Sequence, residues 1–137
     1  MKNKLLTITE IGMIVYWVFA LLVVLNLVRI PPEYMYSDYQ NPLIVVWNWS
    51  FFPLDILFAV TGLIGRYGSV RVERKQLLSV ISLSLMFCAG LMAISFWVIN
   101  QNFDPFWWTV NLWLIVLSSW CLYSHLSMPQ APMKDPV

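Results

Sequence analysis

Charged side chains are scarce in this chain: they make up 11% of its 137 residues, while apolar residues make up 60%. A soluble globular domain usually carries about a quarter of its residues as charged side chains, so this composition excludes that class. The formal net charge of +1 also leaves no basic field that would attract nucleic acid. The chain is therefore predicted to be an integral membrane protein that binds no nucleic acid.

Residues for metal and thiol chemistry are also few. The two cysteines, Cys88 and Cys121, form no C-x-x-C pair, so a membrane thiol oxidoreductase lacks its dithiol here. The single histidine, His125, has no second histidine or acidic neighbour at ligand spacing. We expect two buried cysteines, an interfacial histidine at a helix end, and no metal or cofactor.

Long apolar runs, by contrast, fill most of the chain. A helix needs about 20 apolar residues to cross a bilayer, and four stretches meet that length: 8–28, 43–65, 77–99 and 106–126. They predict an all-α fold, a four-helix transmembrane bundle that forms a single integral membrane domain over residues 1–137. The first run exceeds a signal-peptide core and no small-x-small cleavage site follows it, so we expect it to be retained as a helix.

Capping residues predict where the spans begin. Thr7 and Glu10 have the spacing of a capping box before the first span. Asn41 and Asp104 are each followed by a proline, which favours a side-chain cap and a proline in the first helical turn of spans two and four.

The basic residues predict the orientation in a cell membrane. They concentrate before the first span and between the second and third spans: Lys2, Lys4, Arg66, Arg71, Arg74 and Lys75. By the positive-inside rule, both termini should be cytoplasmic. The basic segment RYGSVRVERKQ is interpreted as a topology signal, with anionic lipid headgroups as an alternative ligand.

Asp55 is the most unusual residue within the spans, because it follows Pro53 by two positions near the middle of span two. A carboxylic acid at the bilayer centre costs about 2.5 to 3.5 kcal/mol on insertion scales, so it is usually functional or tightly paired. No cationic residue lies at its depth, and Arg29 is about half the hydrocarbon thickness away. Asp55 is interpreted either as a neutral acid bonded to a backbone carbonyl that Pro53 frees, or as a proton carrier or counter-charge for a lipophilic cation. Glu10 is assigned only its capping role.

Residues seven apart share one face of a helix, so three sets of residues at this spacing predict the inward faces of spans one, two and four. These sets are Gly12, Phe19 and Asn26; Asn48, Asp55 and Gly62; and Asn111, Ser118 and His125. In span three a stripe of small residues predicts close helix packing, namely Ser79, Ser82, Ala89, Gly90 and Ala93.

Two asparagines and two tryptophans in the outer half of the spans predict an outward-facing vestibule above Asp55. Asn48 and Asn111 would form its rim, Trp47 and Trp49 its aromatic walls, and a kink at Pro53 would loosen the helix beside it. The alternative is that the asparagines join helices, at about 0.6 kcal/mol each, and that the tryptophans belong to an interfacial belt.

The stretches DYQNPLIVVWNWSFFPLDILFAVTGL and NFDPFWWTVNLWL resemble the YvaD-like family of small four-span membrane proteins from Bacillus and its relatives. The likeness covers spans two to four and their outer loops, and its most specific part is W-N-W-S-F-x-P-L-D. It implies the four-span topology. The family has no assigned biochemical activity, so the resemblance implies no catalytic residues.

The leading hypothesis is a non-enzymatic membrane protein whose vestibule binds a small lipophilic or cationic molecule. Asp55 would be the anchor, and Asn48, Asn111, Trp47 and Trp49 the lining. One alternative is an accessory or regulatory subunit whose polar faces meet a membrane-protein partner or a second copy of the chain; this predicts that Asp55 faces lipid in the isolated chain. Another is an intramembrane isomerase or lipid-modifying enzyme, which requires a second acidic or basic group beside Asp55.

Overall fold

A computed structural model describes residues 1–31, 38 and 40–126 of the chain. These residues form the helices α1 (Lys2–Val24), α2 (Pro42–Ser50), α3 (Phe52–Tyr67), α4 (Val72–Ile99) and α5 (Pro105–Leu126). Four segments are long and apolar enough to cross a membrane: Lys2–Val24, Pro42–Tyr67, Val72–Ile99 and Pro105–His125. The predicted all-α fold with four spans is confirmed, with α2 and α3 together making the second span.

The first span lies nearer the N-terminus than predicted. α1 begins at Lys2, so Thr7 and Glu10 lie inside the helix and the predicted capping box is wrong. The Thr7 hydroxyl donates instead to the backbone carbonyl of Asn3, one turn earlier, at 2.8 Å. α1 ends at Val24 rather than near residue 28, and Asn26 adopts a left-handed conformation with φ 57°. Asparagine tolerates that conformation better than most residues, so Asn26 suits the end of the helix.

The two other predicted caps are confirmed. The Asn41 side chain accepts a hydrogen bond from the backbone N–H of Leu43 at 3.1 Å. Asp104 Oδ1 accepts one from the N–H of Trp107 at 3.0 Å. Each bond satisfies a first-turn N–H that has no partner within the helix.

The second span is interrupted at Phe51, two residues before Pro53. The Phe51 N–H donates to the Asn48 carbonyl, three residues back, at 3.1 Å, and regular spacing resumes where the Asp55 N–H donates to the Phe51 carbonyl at 2.8 Å. Proline has no N–H and its ring crowds the carbonyl four residues earlier, which explains the break at this point. As a result α3 begins inside the span, with Asp55 in its first turn.

The helices pack in the order α1, α3, α4, α5, each against the next. Lys2 contacts Ser124, and the hydroxyls of Thr7 and Tyr67 lie 2.9 Å apart, so the start of α1 and the ends of α3 and α5 meet at one end of the bundle. We call this the terminal end and the opposite one the distal end. α1 and α5 meet through side chains rather than through close backbone packing, which leaves room for a cavity between them.

Small residues bring α4 close to both of its neighbours, as the stripe predicted. Ser82, Ala89, Gly90 and Ala93 are buried. A Cβ atom on Gly90 would lie 2.7 Å from the backbone oxygen of Asn111, so this glycine allows α4 and α5 their close approach.

The predicted inward faces are only partly right. Asn48, Asp55 and Gly62 are buried on the second span, and Asn111 and Ser118 are buried on α5, whereas His125 is exposed. The face predicted for α1 is wrong, because Phe19 and Asn26 are exposed and the buried residues are Leu6, Glu10 and Trp17. Cys121 is buried as predicted, but Cys88 is exposed on α4.

Candidate ligand-binding cavity

Asp55 lies in the first turn of α3 and faces α1. The indole N–H of Trp17 donates to Asp55 Oδ2 at 2.9 Å, and both residues are buried, with Trp17 1% and Asp55 7% exposed. Oδ1 has no hydrogen-bond partner among the described residues. The partner of Asp55 is thus a neutral donor, neither a cation nor a carbonyl freed by Pro53, and one carboxyl oxygen remains available.

Trp17 is held in position by an aromatic cluster. Its ring meets Tyr16 and Phe52 edge to face, with ring centroids 5.1 and 5.2 Å apart, and it lies 5.3 Å from the ring of Trp49. Such contacts add to the stability that ring burial provides. The cluster fixes the indole, and through its hydrogen bond the indole orients the Asp55 carboxyl group.

A cavity of about 320 Å³ lies between α1 and α5, with the second span behind it. Asp55, Asn48 and Asn111, the three polar residues predicted to form the site, all line it. The rest of its lining is mostly apolar and aromatic: Thr9, Gly12, Met13, Tyr16, Trp17, Phe51, Ala93, Phe106, Trp107, Val110, Trp113 and Leu114. We call it the Asp55 cavity.

The two asparagines differ in how their amides are used. Asn111 Nδ2 donates to the Trp107 carbonyl, one turn earlier on α5, at 2.8 Å. The Asn48 amide has no hydrogen-bond partner among the described residues, although the side chain is only 4% exposed. A buried amide without a partner is unfavourable. A hydrogen bond to a molecule in the cavity would satisfy the Asn48 amide.

The two tryptophans predicted as walls lie in different places. Trp49 lines an adjoining cavity of about 260 Å³ that extends toward the distal end. This cavity shares four lining residues with the Asp55 cavity: Tyr16, Asn48, Phe106 and Trp107. Trp47 lines neither cavity; it stacks on Phe96 with ring centroids 4.0 Å apart and packs against Trp97. Residues 47 and 49 point to different sides because they are about 200° apart on the helix.

The side of the Asp55 cavity nearer the terminal end is closed by a contact between α1 and α5. The indole N–H of Trp113 donates to the Thr9 hydroxyl at 3.0 Å. The adjoining Trp49 cavity leads toward the other end. The two cavities thus adjoin each other along α1, the first beside Asp55 and the second nearer the distal end.

A second buried polar centre, which sequence reasoning missed, lies nearer the terminal end. Glu10 is fully buried and forms an ion pair with Arg66, whose side chain is 10% exposed. Ser82 Oγ donates to the Phe58 carbonyl at 2.8 Å and lies 3.5 Å from Glu10 Oε1. Any Cβ atom at Gly62 would overlap the Glu10 carboxylate and lie 2.6 Å from Ser82 Oγ. We call Glu10, Gly62, Arg66 and Ser82 the ion-pair layer.

A sequence signal for this layer does exist. Glu10 lies seven residues before Trp17 on α1, and Gly62 lies seven after Asp55 on α3, so both layers use the same two helix faces. Arg66 follows Gly62 by one helical turn and therefore points the same way. Interpreting Glu10 as a capping residue concealed this pairing.

No metal site is present in the described part of the chain. Among residues 1–31, 38 and 40–126, no three His, Cys, Asp or Glu side chains lie close enough together to hold a metal ion. The candidate site consists of one carboxyl group, two amides and aromatic walls.

Comparison with known proteins places the chain in a family. A family model described as a family of unknown function, DUF5360, matches residues 2–131. The chain belongs to the DUF5360 family. It is 42% identical over 111 residues to the uncharacterized protein YvaD of Bacillus subtilis (strain 168), an alignment that covers 80% of this chain and 79% of that protein. The resemblance to YvaD-like proteins is thereby confirmed, and no solved structure matches the chain.

Proposed function

We propose that this protein is a non-enzymatic cell-membrane protein that binds a small lipophilic cation in the vestibule above Asp55. The proposal depends mainly on one observation: Asp55, Asn48 and Asn111, from two different spans, line one cavity whose other walls are mostly apolar and aromatic. A few polar groups in an apolar pocket are typical of small-molecule sites.

The chemistry of the lining favours an amine or another organic cation. Asp55 Oδ1 has no partner among the described residues and can accept a bond from an ammonium group. Tyr16 and Trp113 line the same cavity, and aromatic faces attract cations. Asn48 can bond a polar substituent of the ligand, and the adjoining Trp49 cavity can hold an apolar tail.

The burial of Asp55 supports this function over the two alternatives. An accessory subunit would expose Asp55 to lipid in the isolated chain, but its side chain is 7% exposed and bonded to Trp17. An isomerase needs a second titratable group beside the first. Glu10 is committed to Arg66, and it lies one heptad along the bundle, about 10 Å from Asp55 at a helical rise of 1.5 Å per residue.

The proposed orientation places both termini in the cytoplasm, so that the vestibule opens to the outside. The concentration of basic residues at the terminal end supports it. Labelling of single cysteines at Ser69 and Asn102 with a membrane-impermeant maleimide, in cells expressing a Cys88→Ser/Cys121→Ala background, tests it. Labelling of the Asn102→Cys variant alone is expected, and labelling of the Ser69→Cys variant alone would reverse the proposed orientation.

Binding itself can be tested with a matched pair of probes. Purified protein in phosphatidylcholine nanodiscs is titrated with 4-phenylbutylamine and with 4-phenylbutanol, which carries a hydroxyl group in place of the ammonium, and affinity is measured by calorimetry. Wild-type protein is expected to prefer the amine. Asp55→Asn should weaken amine binding by about tenfold, since a hydrogen bond to a charged group contributes about 1.5 to 3 kcal/mol, and should leave alcohol binding unchanged.

The control is Glu73→Gln, which removes one negative charge from the first turn of α4, outside the cavity. It should leave both affinities unchanged. Equal binding of amine and alcohol by wild-type protein, or equal amine binding by wild type and Asp55→Asn, would contradict the proposal.

A further inference from the structure

A third cavity, of about 290 Å³, lies at the terminal end of the bundle. All four spans contribute to its lining, which consists of Asn3, Leu6, Gly65, Arg66, Tyr67, Ser79, Leu83 and His125. It shares none of these residues with the Asp55 cavity. It is therefore a separate place for a ligand, and nothing in the proposed function uses it.

The lining of this cavity is the chemical opposite of the lining around Asp55. Five of its eight residues carry N–H or O–H donors, namely Asn3, Arg66, Tyr67, Ser79 and His125. None of the eight carries a carboxyl group. A pocket with many donors and no acid is suited to an anion.

Arg66 is the charged group of this cavity, and its position is fixed by Glu10, which lies outside the cavity lining. Its side chain is 90% buried and paired with the fully buried Glu10. Arg66 Nε has no hydrogen-bond acceptor among the described residues. A guanidinium group has five N–H donors in a rigid fork, so one carboxylate leaves donors for a second anion. Glu10 thus fixes the orientation of Arg66 without using all of its donors.

The surrounding charge also favours an anion. Five further basic residues lie at or near the terminal end: Lys2, Lys4, Arg71, Arg74 and Lys75. Of the described acidic residues at this end, Glu10 is paired with Arg66, which leaves Glu73. The Lys2 ammonium contacts Ser124 on α5 and lies 4.6 Å from the centre of the Trp120 ring. A basic pocket between membrane helices near their ends is typical of lipid headgroup recognition.

We propose that the terminal cavity binds a phosphate group, carried by a lipid headgroup or present as free phosphate. Arg66 is the anchor, and the Ser79 hydroxyl and the His125 imidazole are further donors. Arg66 lies one residue before the end of α3, near the depth at which headgroups meet hydrocarbon. Gly65 allows Ser79 its position, because a Cβ atom there would lie 3.0 Å from Ser79 Oγ.

Calorimetry on the full chain in a nonionic detergent tests this site. The probes are dihexanoyl phosphatidic acid, dihexanoyl phosphatidylcholine and inorganic phosphate. Two variants are chosen to preserve folding. Arg66→Lys keeps a cation beside Glu10, and Ser79→Ala combined with His125→Phe leaves the Glu10–Arg66 ion pair intact. Each variant should weaken the binding of phosphatidic acid or of inorganic phosphate, whichever the wild-type protein binds, by about tenfold. This change corresponds to the loss of one or two hydrogen bonds.

The control is Ser84→Ala, which removes a hydroxyl group from the exposed surface of α4, outside the cavity. It should retain wild-type affinity. Binding of phosphatidic acid that inorganic phosphate does not displace identifies a lipid headgroup as the ligand, whereas binding of inorganic phosphate itself identifies a free phosphate site. Failure of both phosphatidic acid and inorganic phosphate to bind, or equal weakening by the cavity variants and the control, would overturn the proposal.

Discussion

The two buried carboxyl groups in the described part of this bundle lie on the same pair of helix faces, one heptad apart, yet they have different surroundings. Glu10 is paired with the Arg66 guanidinium, whereas Asp55 accepts a single hydrogen bond from the Trp17 indole. A cation balances the charge of Glu10 within the chain. Asp55 has no such partner among the described residues and lines a cavity. The comparison shows that this bundle balances one buried acid with a cation and leaves the other with a neutral hydrogen-bond donor beside a cavity.

The largest effect should come from breaking the ion-pair layer. Glu10→Gln leaves the buried Arg66 cation without a counter-charge, and removing one partner of a buried pair costs about 3 to 5 kcal/mol. The free energy of unfolding can be measured by equilibrium denaturation in mixed micelles. Glu73→Gln, which removes a carboxylate from the first turn of α4, should have an effect below about 0.5 kcal/mol.

A double variant distinguishes a lost pair from a disturbed helix. Glu10→Met combined with Arg66→Met removes both charges and keeps the volume apolar, so it should recover most of the stability that Glu10→Gln loses. If the double variant is as unstable as the single one, the contribution of Glu10 is packing rather than charge compensation.

Much of the fold could be predicted from the sequence because bilayer thickness limits what an apolar run can do. Spans of about 20 residues, helix caps at Asn41 and Asp104, and a proline within the second span each have one local cause. Since these causes act within a few residues, the four spans, both caps and the break near Pro53 are found in the structure.

The residues of the candidate site could be predicted only where the periodicity of a single helix determines which side chains lie together. Asn48 and Asp55 share a face of the second span, and both line one cavity. The partner of Asp55 could not be found in this way, because Trp17 lies on another helix and resembles any interfacial tryptophan in sequence. Glu10 was missed for the opposite reason: a plausible local role, the capping box, hid a contact with a residue 56 positions away.

A smaller difference in stability is expected between alanine substitutions at two glycines, one in the ion-pair layer and one outside it. Gly62→Ala places a Cβ atom where it overlaps the Glu10 carboxylate and crowds Ser82, and overpacking of this kind costs about 1 to 3 kcal/mol. Gly12→Ala meets no heavy atom within 4 Å and should be neutral or stabilising by up to about 1 kcal/mol, because alanine favours the helix.

Both glycine variants are measured by the same denaturation experiment, so that they control for each other. Equal stability of the two would mean that the close approach of α1 and α3 at Gly62 is relaxed in the membrane, and that the ion-pair layer tolerates an extra methyl group.

The smallest effect should come from the Asp55 layer, and it sharpens the contrast with Glu10. Trp17→Phe keeps an aromatic ring against Tyr16 and Phe52 but removes the indole donor to Asp55. Hydrogen bonds between membrane helices contribute about 0.6 kcal/mol on average, so the stability loss should be near that value. Without the indole the carboxyl group loses its orientation, and amine affinity should fall by about threefold, the equivalent of a similar free energy.

A stability loss of several kcal/mol, with amine affinity unchanged, would instead make Trp17 and Asp55 a structural pair equivalent to Glu10 and Arg66. The two acids would then serve the same purpose, and the vestibule would lose its anchor.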